Sequence, residues 1–509
     1  QRLITSCNGG GGTDWDVPQN WTGTYGGNPD TYADDLKKQV LVGEYGAWRT
    51  IDLHTEGSFD QNGILSEDRM TQLIEKKIHL AESVKDSSAG HFFWLLTSHD
   101  NPGRVQGGEG WRELDRIGPV NYKGLLTPWE EPLDIFYLYR SRYTSAHSQP
   151  MVYIVSHTWP QRWTGAGIKN GIRVFSNCEE VELFNDGGGH SLGRKAPSSG
   201  STFQWDSVLI QYNVLYAVGY VKGQAVARDT ILLHHLPPAP DFKRLLAGEQ
   251  PLLKPQAGYN YIYRTNCGGP DYTDAQGNLW RADRAILPPD TGHAVAGSLS
   301  WTNDFTGMPA FFGSQRRLFQ PVRGTRDWKL FQTFRYGKDR LQYVYPLPDG
   351  EYLVELYFIE PWIGIGGGME GEGMRLFDVA VNDQTVLHNL DLWKEAGVNT
   401  ALKKTVTVRI TGGRLVLSFP RSRAGQALIA AIAIAGRDKT IQPAPPSSPL
   451  SRLQCNGCSL QSWLDIGDQP FAGQSAQIHA LPPELFGAYW LQLSKEHTGP
   501  VSFTVPAAT

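Results

Sequence analysis

The chain contains no apolar stretch of the roughly 18 to 20 residues that a membrane-spanning helix needs. Its longest such run, residues 427–435, is strand length. That excludes a helical membrane span, and the chain reads as soluble. Charge is thin as well. Lys and Arg total 47 against 51 Asp and Glu, a formal net charge of -4, and no basic run occurs. The electrostatic footprint of a nucleic-acid binder is therefore missing. Five cysteines in 509 residues are too few for a disulfide scaffold, and an odd number leaves at least one thiol free in a monomer. Cys455 and Cys458 are spaced as a C-x-x-C pair with no second pair at zinc-site spacing. A local disulfide or two free thiols is the reading there, and no metal site is expected. No signal peptide is visible and residue 1 is Gln, so the chain reads as a mature or truncated one.

Glycine and aromatics are abundant instead: Gly 56, Trp 16, Tyr 21 and Phe 20. That mixture suits loop-rich β-domains whose aromatics fill cores or stack on sugar rings. The length allows three or four domains. Residues 1–145 alternate between strand and helix patterns. A strand is predicted at 39–43, a helix over 67–84 with apolar residues at helical spacing, and a strand at 91–97, an order that implies a parallel sheet. Residues 150–237 switch to short strands such as 172–175 and 208–218 between Gly and Asn turns, which predicts an antiparallel β-sandwich. A third β-rich block spans 259–437, with strands at 352–359, 376–381, 404–410 and 415–419. A Pro/Ser linker at 442–449 leads to a small β module, 450–509.

One carboxylate stands out. Leu41-Val42-Gly43-Glu44-Tyr45-Gly46-Ala47 sets Glu44 at the end of an apolar strand before a glycine turn, where barrel enzymes place catalytic groups. By itself that is a weak signal, because a glutamate after a strand is usually a solvated loop residue. The motif resembles the nucleophile strand of glycoside hydrolase family 2, in which a Glu-Tyr-Gly-Ala-like sequence ends barrel strand seven. His91-Phe92-Phe93-Trp94 resembles that family's last barrel strand, and Gly124-Leu125-Leu126, Pro132 and Phe136-Tyr137-Leu138-Tyr139 resemble its ending. The resemblance implies the C-terminal part of a (β/α)8 barrel followed by an immunoglobulin-like sandwich at 150–237. It implies a retaining exo-β-glycosidase with Glu44 as nucleophile and a sugar pocket formed by Trp94, Asn20, Trp21, Tyr25 and Tyr45. Neither a metal nor an organic cofactor is implied.

Two carboxyl groups are required for this chemistry, about 5 to 5.5 Å apart in a retaining enzyme. In the family the acid/base Glu follows an Asn, and this chain contains no Asn-Glu pair. The acid/base is therefore expected from an N-terminal piece or a partner chain, and self-association is left open. Asn121-Tyr122-Lys123 matches the Asn-x-Lys pattern with which β-glucuronidases of the family hold a uronic carboxylate, and an ammonium beside an amide suits that task. The domain order instead favours β-galactosidase, so a galactoside is the first expectation and a glucuronide the second.

The block 259–437 resembles a malectin-like carbohydrate-binding domain, carried by Asn266-Cys267-Gly268-Gly269, Tyr272-Thr273-Asp274, Trp280-Arg281-Ala282-Asp283 and Arg335-Tyr336-Gly337. The resemblance implies that Tyr272 and Tyr336 contact sugar, while Trp280 and Phe377 are read as core. A long insertion at 286–319 and a glycine-rich loop at 364–373 depart from the pattern. The partners expected overall are an oligo- or polysaccharide, and the location is secreted or periplasmic. The competing expectation is a non-catalytic glycan-binding protein built on a remnant barrel.

Overall fold

The computed structural model describes every residue except 1, 8–11, 25, 48–65, 101–119, 122, 128, 160–161, 247, 249, 287–294, 301–314, 338–339, 446–450, 466, 479–480, 482–484, 486–487 and 505–509. Most of the regular structure is β-sheet. No helix among the described residues is long and apolar enough to cross a membrane.

In the first segment the strands Gln19–Asn20, Leu41–Tyr45 and Gly90–Phe93 form a three-stranded sheet, with parallel pairing throughout. The helix Glu67–Ser83 connects the last two. It starts where the Ser66 side chain accepts the Arg69 N–H at 3.1 Å, satisfying one of the unpaired donors of the first turn. Met70, Leu73, Ile74 and Ile78 recur on one face and are buried, as the 3.6-residue period requires. The predicted strand 39–43 lies two residues further on. The helix Tyr32–Gln39 runs into that stretch, and Val40 ends it with a φ of 62°. Glu44 is consequently the next-to-last residue of its strand.

Residues 152–232 form two antiparallel sheets around one core. Val152–Val155, Ile172–Ser176 and Thr202–Trp205 make the first; Glu180–Phe184, Ser191–Lys195, Val214–Val221 and Gln224–Leu232 make the second. Ile154, Val174, Phe203, Trp205, Leu183 and Ile231 fill the space between them. The single strand predicted over 208–218 is broken in two. The backbone N–H groups of Gln211 and Tyr212 donate to Asn185 Oδ1, at 2.7 and 3.0 Å, rather than to a neighbouring strand.

The third unit packs two large sheets and a three-stranded one. The apolar run at 427–435 explains their meeting. Ala427–Ile429 pairs with Thr333–Gly337, and after Ala430 the strand Ala431–Gly436 sits between Asn260–Asn266 and Gly350–Phe358. Every side chain of the run is shielded from solvent, which is why its sequence is continuous rather than alternating. Trp280 and Phe377 are buried in this core. In the last module two short strand pairs are described, and Cys455 is joined to Cys458 by a disulfide.

Candidate functional site

Two glycines shape the strand that carries Glu44. A Cβ on Gly43 would lie 2.9 Å from the Val17 carbonyl oxygen, and one on Gly46 would lie 3.0 Å from the Trp94 carbonyl and 3.1 Å from the Trp21 ring. A side chain at Gly43 would push Val17 away and one at Gly46 would push the tryptophans away, so the spacing Gly-Glu-Tyr-Gly is a packing requirement. The pairing with Gly90–Phe93 shifts register between Val42 and Tyr45, and such an irregularity re-aims a side chain. Glu44 is half-buried beside Gln19, its register partner on the neighbouring strand.

Lys123 comes from a different part of the chain, and the backbone that delivers it is tied down. Leu125 and Leu126 donate to the carbonyls of Leu95 and Leu96 at 2.9 and 2.8 Å. A Cβ on Gly124 would sit 2.4 Å from the Ser98 nitrogen, so only glycine allows this approach. Lys123 is buried, with Nζ 6.0 Å from the Trp21 ring centre and 5.9 Å from that of Trp94. Burial pushes the Glu44 carboxyl up from its ordinary range, while the Lys123 charge and a hydrogen bond from Gln19 pull it back. The structure thus brings Glu44, Lys123, Trp21 and Trp94 together, and Trp94 is 37% exposed at their edge.

Two of the expected contact residues play other parts. Asn20 is buried with both ends of its amide engaged: Nδ2 donates to Asp35 Oδ2 at 3.0 Å, and Oδ1 accepts the Thr22 N–H at 3.1 Å. It is 5% exposed and fixes the loop that carries Trp21. Tyr45 lies beneath the site, stacked on His91 with ring centres 4.1 Å apart, its hydroxyl bonded to that of Tyr139. At 1% exposure it supports Glu44 from below and does not face solvent. Asn121 belongs to the short strand Val120–Asn121, but its side chain lies outside the described residues, as does all of Tyr25.

The support beneath Glu44 also holds groups that sequence reasoning missed. Gly46 O accepts from Thr24 Oγ1 at 2.7 Å and from Lys77 Nζ at 3.1 Å. Burial drives the Lys77 ammonium down to about 7. His91 falls to about 4 through burial and the Lys77 charge, and its Nδ1 faces the Tyr32 hydroxyl at 2.9 Å. A signal for Lys77 was present: it continues the buried face of Met70, Leu73 and Ile74 on its helix, where a lysine has to find a partner. Among the described residues no group of three or more His, Cys, Asp or Glu side chains is placed to hold a metal ion.

Tyr336, expected to contact sugar, is 0% exposed. Its ring packs 5.2 Å from Trp129, which reaches over from the first segment, and 5.9 Å from Trp362. Tyr336 is therefore a core residue. Tyr272 is half-buried and donates its hydroxyl to Asp327 Oδ1 at 2.9 Å. The glycine-rich loop 364–373 has a matching role. A Cβ on Gly366 would stand 2.5 Å from the Val152 carbonyl and one on Gly368 2.5 Å from that of Pro150, both at positive φ, while the Val152 N–H donates to Gly366 O at 3.0 Å. The loop is glycine-rich because backbone meets backbone there. Trp129→Ala should accordingly cost about 3 to 5 kcal/mol, read as a lower urea midpoint for the unit around Tyr336.

Residues 261–440 match the Malectin domain, and residues 167–227 match a domain of unknown function, DUF4982. A protein of Formosa agariphila named "Putative beta-glucuronidase" is 29% identical over 245 residues, 43% of this chain and 29% of the relative. Malectin-A of Xenopus laevis is 27% identical over 155 residues, covering 30% of this chain and 47% of that protein. Among solved structures, a Bacteroides uniformis beta-glucuronidase 2, covalently bound to cyclophellitol-6-carboxylate aziridine, aligns over 83% of this chain and 45% of its own at 20% identity and a TM-score of 0.35. The chain spans less than half the length of these proteins. Its combination of a β-glucuronidase-type segment with a malectin domain fits the C-terminal part of a family 2 glycoside hydrolase joined to a malectin-like domain.

Proposed function

We propose that this chain carries the nucleophile side of a retaining exo-β-glycosidase of the family 2 type, and that its substrate ends in a β-linked uronic acid. The observation that carries the reading is the buried Lys123 ammonium, set by two indoles beside a carboxylate that burial raises and the Lys123 charge draws back down. A sugar carboxylate gives such a buried cation a charge-assisted partner, stronger than the neutral hydroxyls of a galactoside supply. The uronide thus replaces the galactoside as first choice. The name of the Formosa relative agrees. On this reading the three parallel strands are the last of a (β/α)8 barrel, and the sandwich after them is immunoglobulin-like.

The reaction is a double displacement. The Glu44 carboxylate attacks the anomeric carbon while an acid/base carboxyl protonates the departing glycosidic oxygen, leaving a glycosyl ester on Glu44. Water, deprotonated by the same acid/base, then cleaves that ester with retention. The acid/base comes from a polypeptide that completes the barrel. Trp94 and Trp21 wall the pocket and Lys123 holds the sugar carboxylate. The protein works in a secreted or periplasmic setting, which the Cys455–Cys458 disulfide favours. The test is hydrolysis of nitrophenyl β-glucuronide and β-galactoside by the chain together with the polypeptide that completes its barrel. Preference for the glucuronide is expected. Preference for the galactoside would overturn the uronide assignment, and cleavage of neither would leave a glycan-binding protein.

A further inference from the structure

A cleft of about 630 Å³ lies between the helix Glu67–Ser83 and the sandwich, and none of Glu44, Lys123, Trp21 and Trp94 lines it. Its volume falls within the range of small-molecule sites. One wall holds Trp159, half-buried, with the Trp163 ring 6.0 Å away at 68°. Arg162, itself buried, places its guanidinium 4.5 Å from the Trp159 ring centre and donates to Ser156 O at 3.0 Å. The indole is thereby held in one orientation.

Other lining residues are polar and braced. Arg173 donates to Asp68 Oδ1 at 2.8 Å and to Glu75 Oε2 at 3.1 Å, and Gln72 Nε2 donates to Asp68 Oδ2 at 2.7 Å. At the rim, Gln204 Nε2 and the Gly171 N–H both donate to Asp206, at 2.8 and 2.7 Å. An indole lining the same cleft as amides and carboxylates supplies the two kinds of contact a sugar ring uses, apolar surface for its C–H bonds and acceptors for its hydroxyl donors. The lining carries the carboxylates of Asp68, Glu75 and Asp206 beside Arg162 and Arg173, a balance that does not favour an acidic sugar.

We propose that this cleft is a second saccharide site, taking a neutral segment of a glycan chain against Trp159. It requires nothing of the Glu44 chemistry and stands or falls apart from it. The test is isothermal titration calorimetry of the full chain with neutral gluco-, galacto- and manno-oligosaccharides. At least one series should bind, and Trp159→Ala should weaken it by about tenfold or more. Ser199→Trp, made on an exposed turn at the rim where it leaves the core intact, should do the same, while saturating glucuronic acid, the sugar proposed for the site at Glu44, should leave binding unchanged. Absence of binding by every series, or binding that survives Ser199→Trp in the folded variant, would overturn the proposal. So would its loss in the presence of glucuronic acid, which would put the ligand at Glu44 instead.

Discussion

Replacing Glu44 with Gln in the barrel-complete protein is expected to lower turnover of the cleaved nitrophenyl glycoside on the order of a thousandfold or more, with little change in stability. The reason is chemical. An amide oxygen cannot form the glycosyl ester through which a retaining enzyme passes, so the first displacement has no nucleophile. The fold should tolerate the change, because Glu44 is half-buried and burial already disfavours its charged form. A second readout frees the assignment from the missing acid/base. A 2-deoxy-2-fluoroglucuronyl fluoride loses fluoride without a proton donor, so the chain should gain the mass of one glycosyl group, located on Glu44 by peptide mapping. A label on another carboxylate would remove Glu44 from the role of nucleophile, whatever the turnover numbers say.

Much of the first segment was legible because its signals are local. The helix Glu67–Ser83 announces itself through the spacing of Met70, Leu73, Ile74 and Ile78, and strand–helix–strand order dictates parallel pairing. The glycines on either side of Glu44 likewise mark a place where backbone and side chains crowd together, while the role expected of Glu44 came from the family resemblance and not from that local pattern. What escaped was decided by residues distant in sequence. Tyr336 sits in a recognisable motif, but its cover, Trp129, comes from another segment, and no local pattern reveals that contact. Asn20 reads as a loop amide until Asp35 and Thr22 are seen to occupy it. The strand predicted over 208–218 failed similarly: Asn185, on another hairpin, takes the backbone hydrogen bonds that would have continued it. The glycine-rich loop was a visible departure whose meaning only the approach of Pro150 and Val152 supplies.

Lys123→Gln should separate substrate recognition from support of Glu44. If Lys123 holds a uronic carboxylate, its loss should lower kcat/KM for the glucuronide by about a hundredfold, the worth of a hydrogen bond to a charged group at ~2.7 kcal/mol. The galactoside, lacking that carboxylate, should be affected far less. A second effect follows from the same charge. Glu44 must be ionised to attack, and its carboxyl is raised by burial and drawn back down by Lys123. Removing the ammonium lets it rise further, so the acidic limb of the kcat/KM profile should move to higher pH, with activity lost sooner as pH falls. Lys123→Arg keeps the charge, so that limb should stay in place while glucuronide turnover still drops, because the planar guanidinium reaches the sugar with different geometry. Equal losses on both substrates in Lys123→Gln, accompanied by the same shift of the acidic limb, would mean that Lys123 serves Glu44 alone. The uronide preference would then lose its physical basis, while the nucleophile assignment would stand.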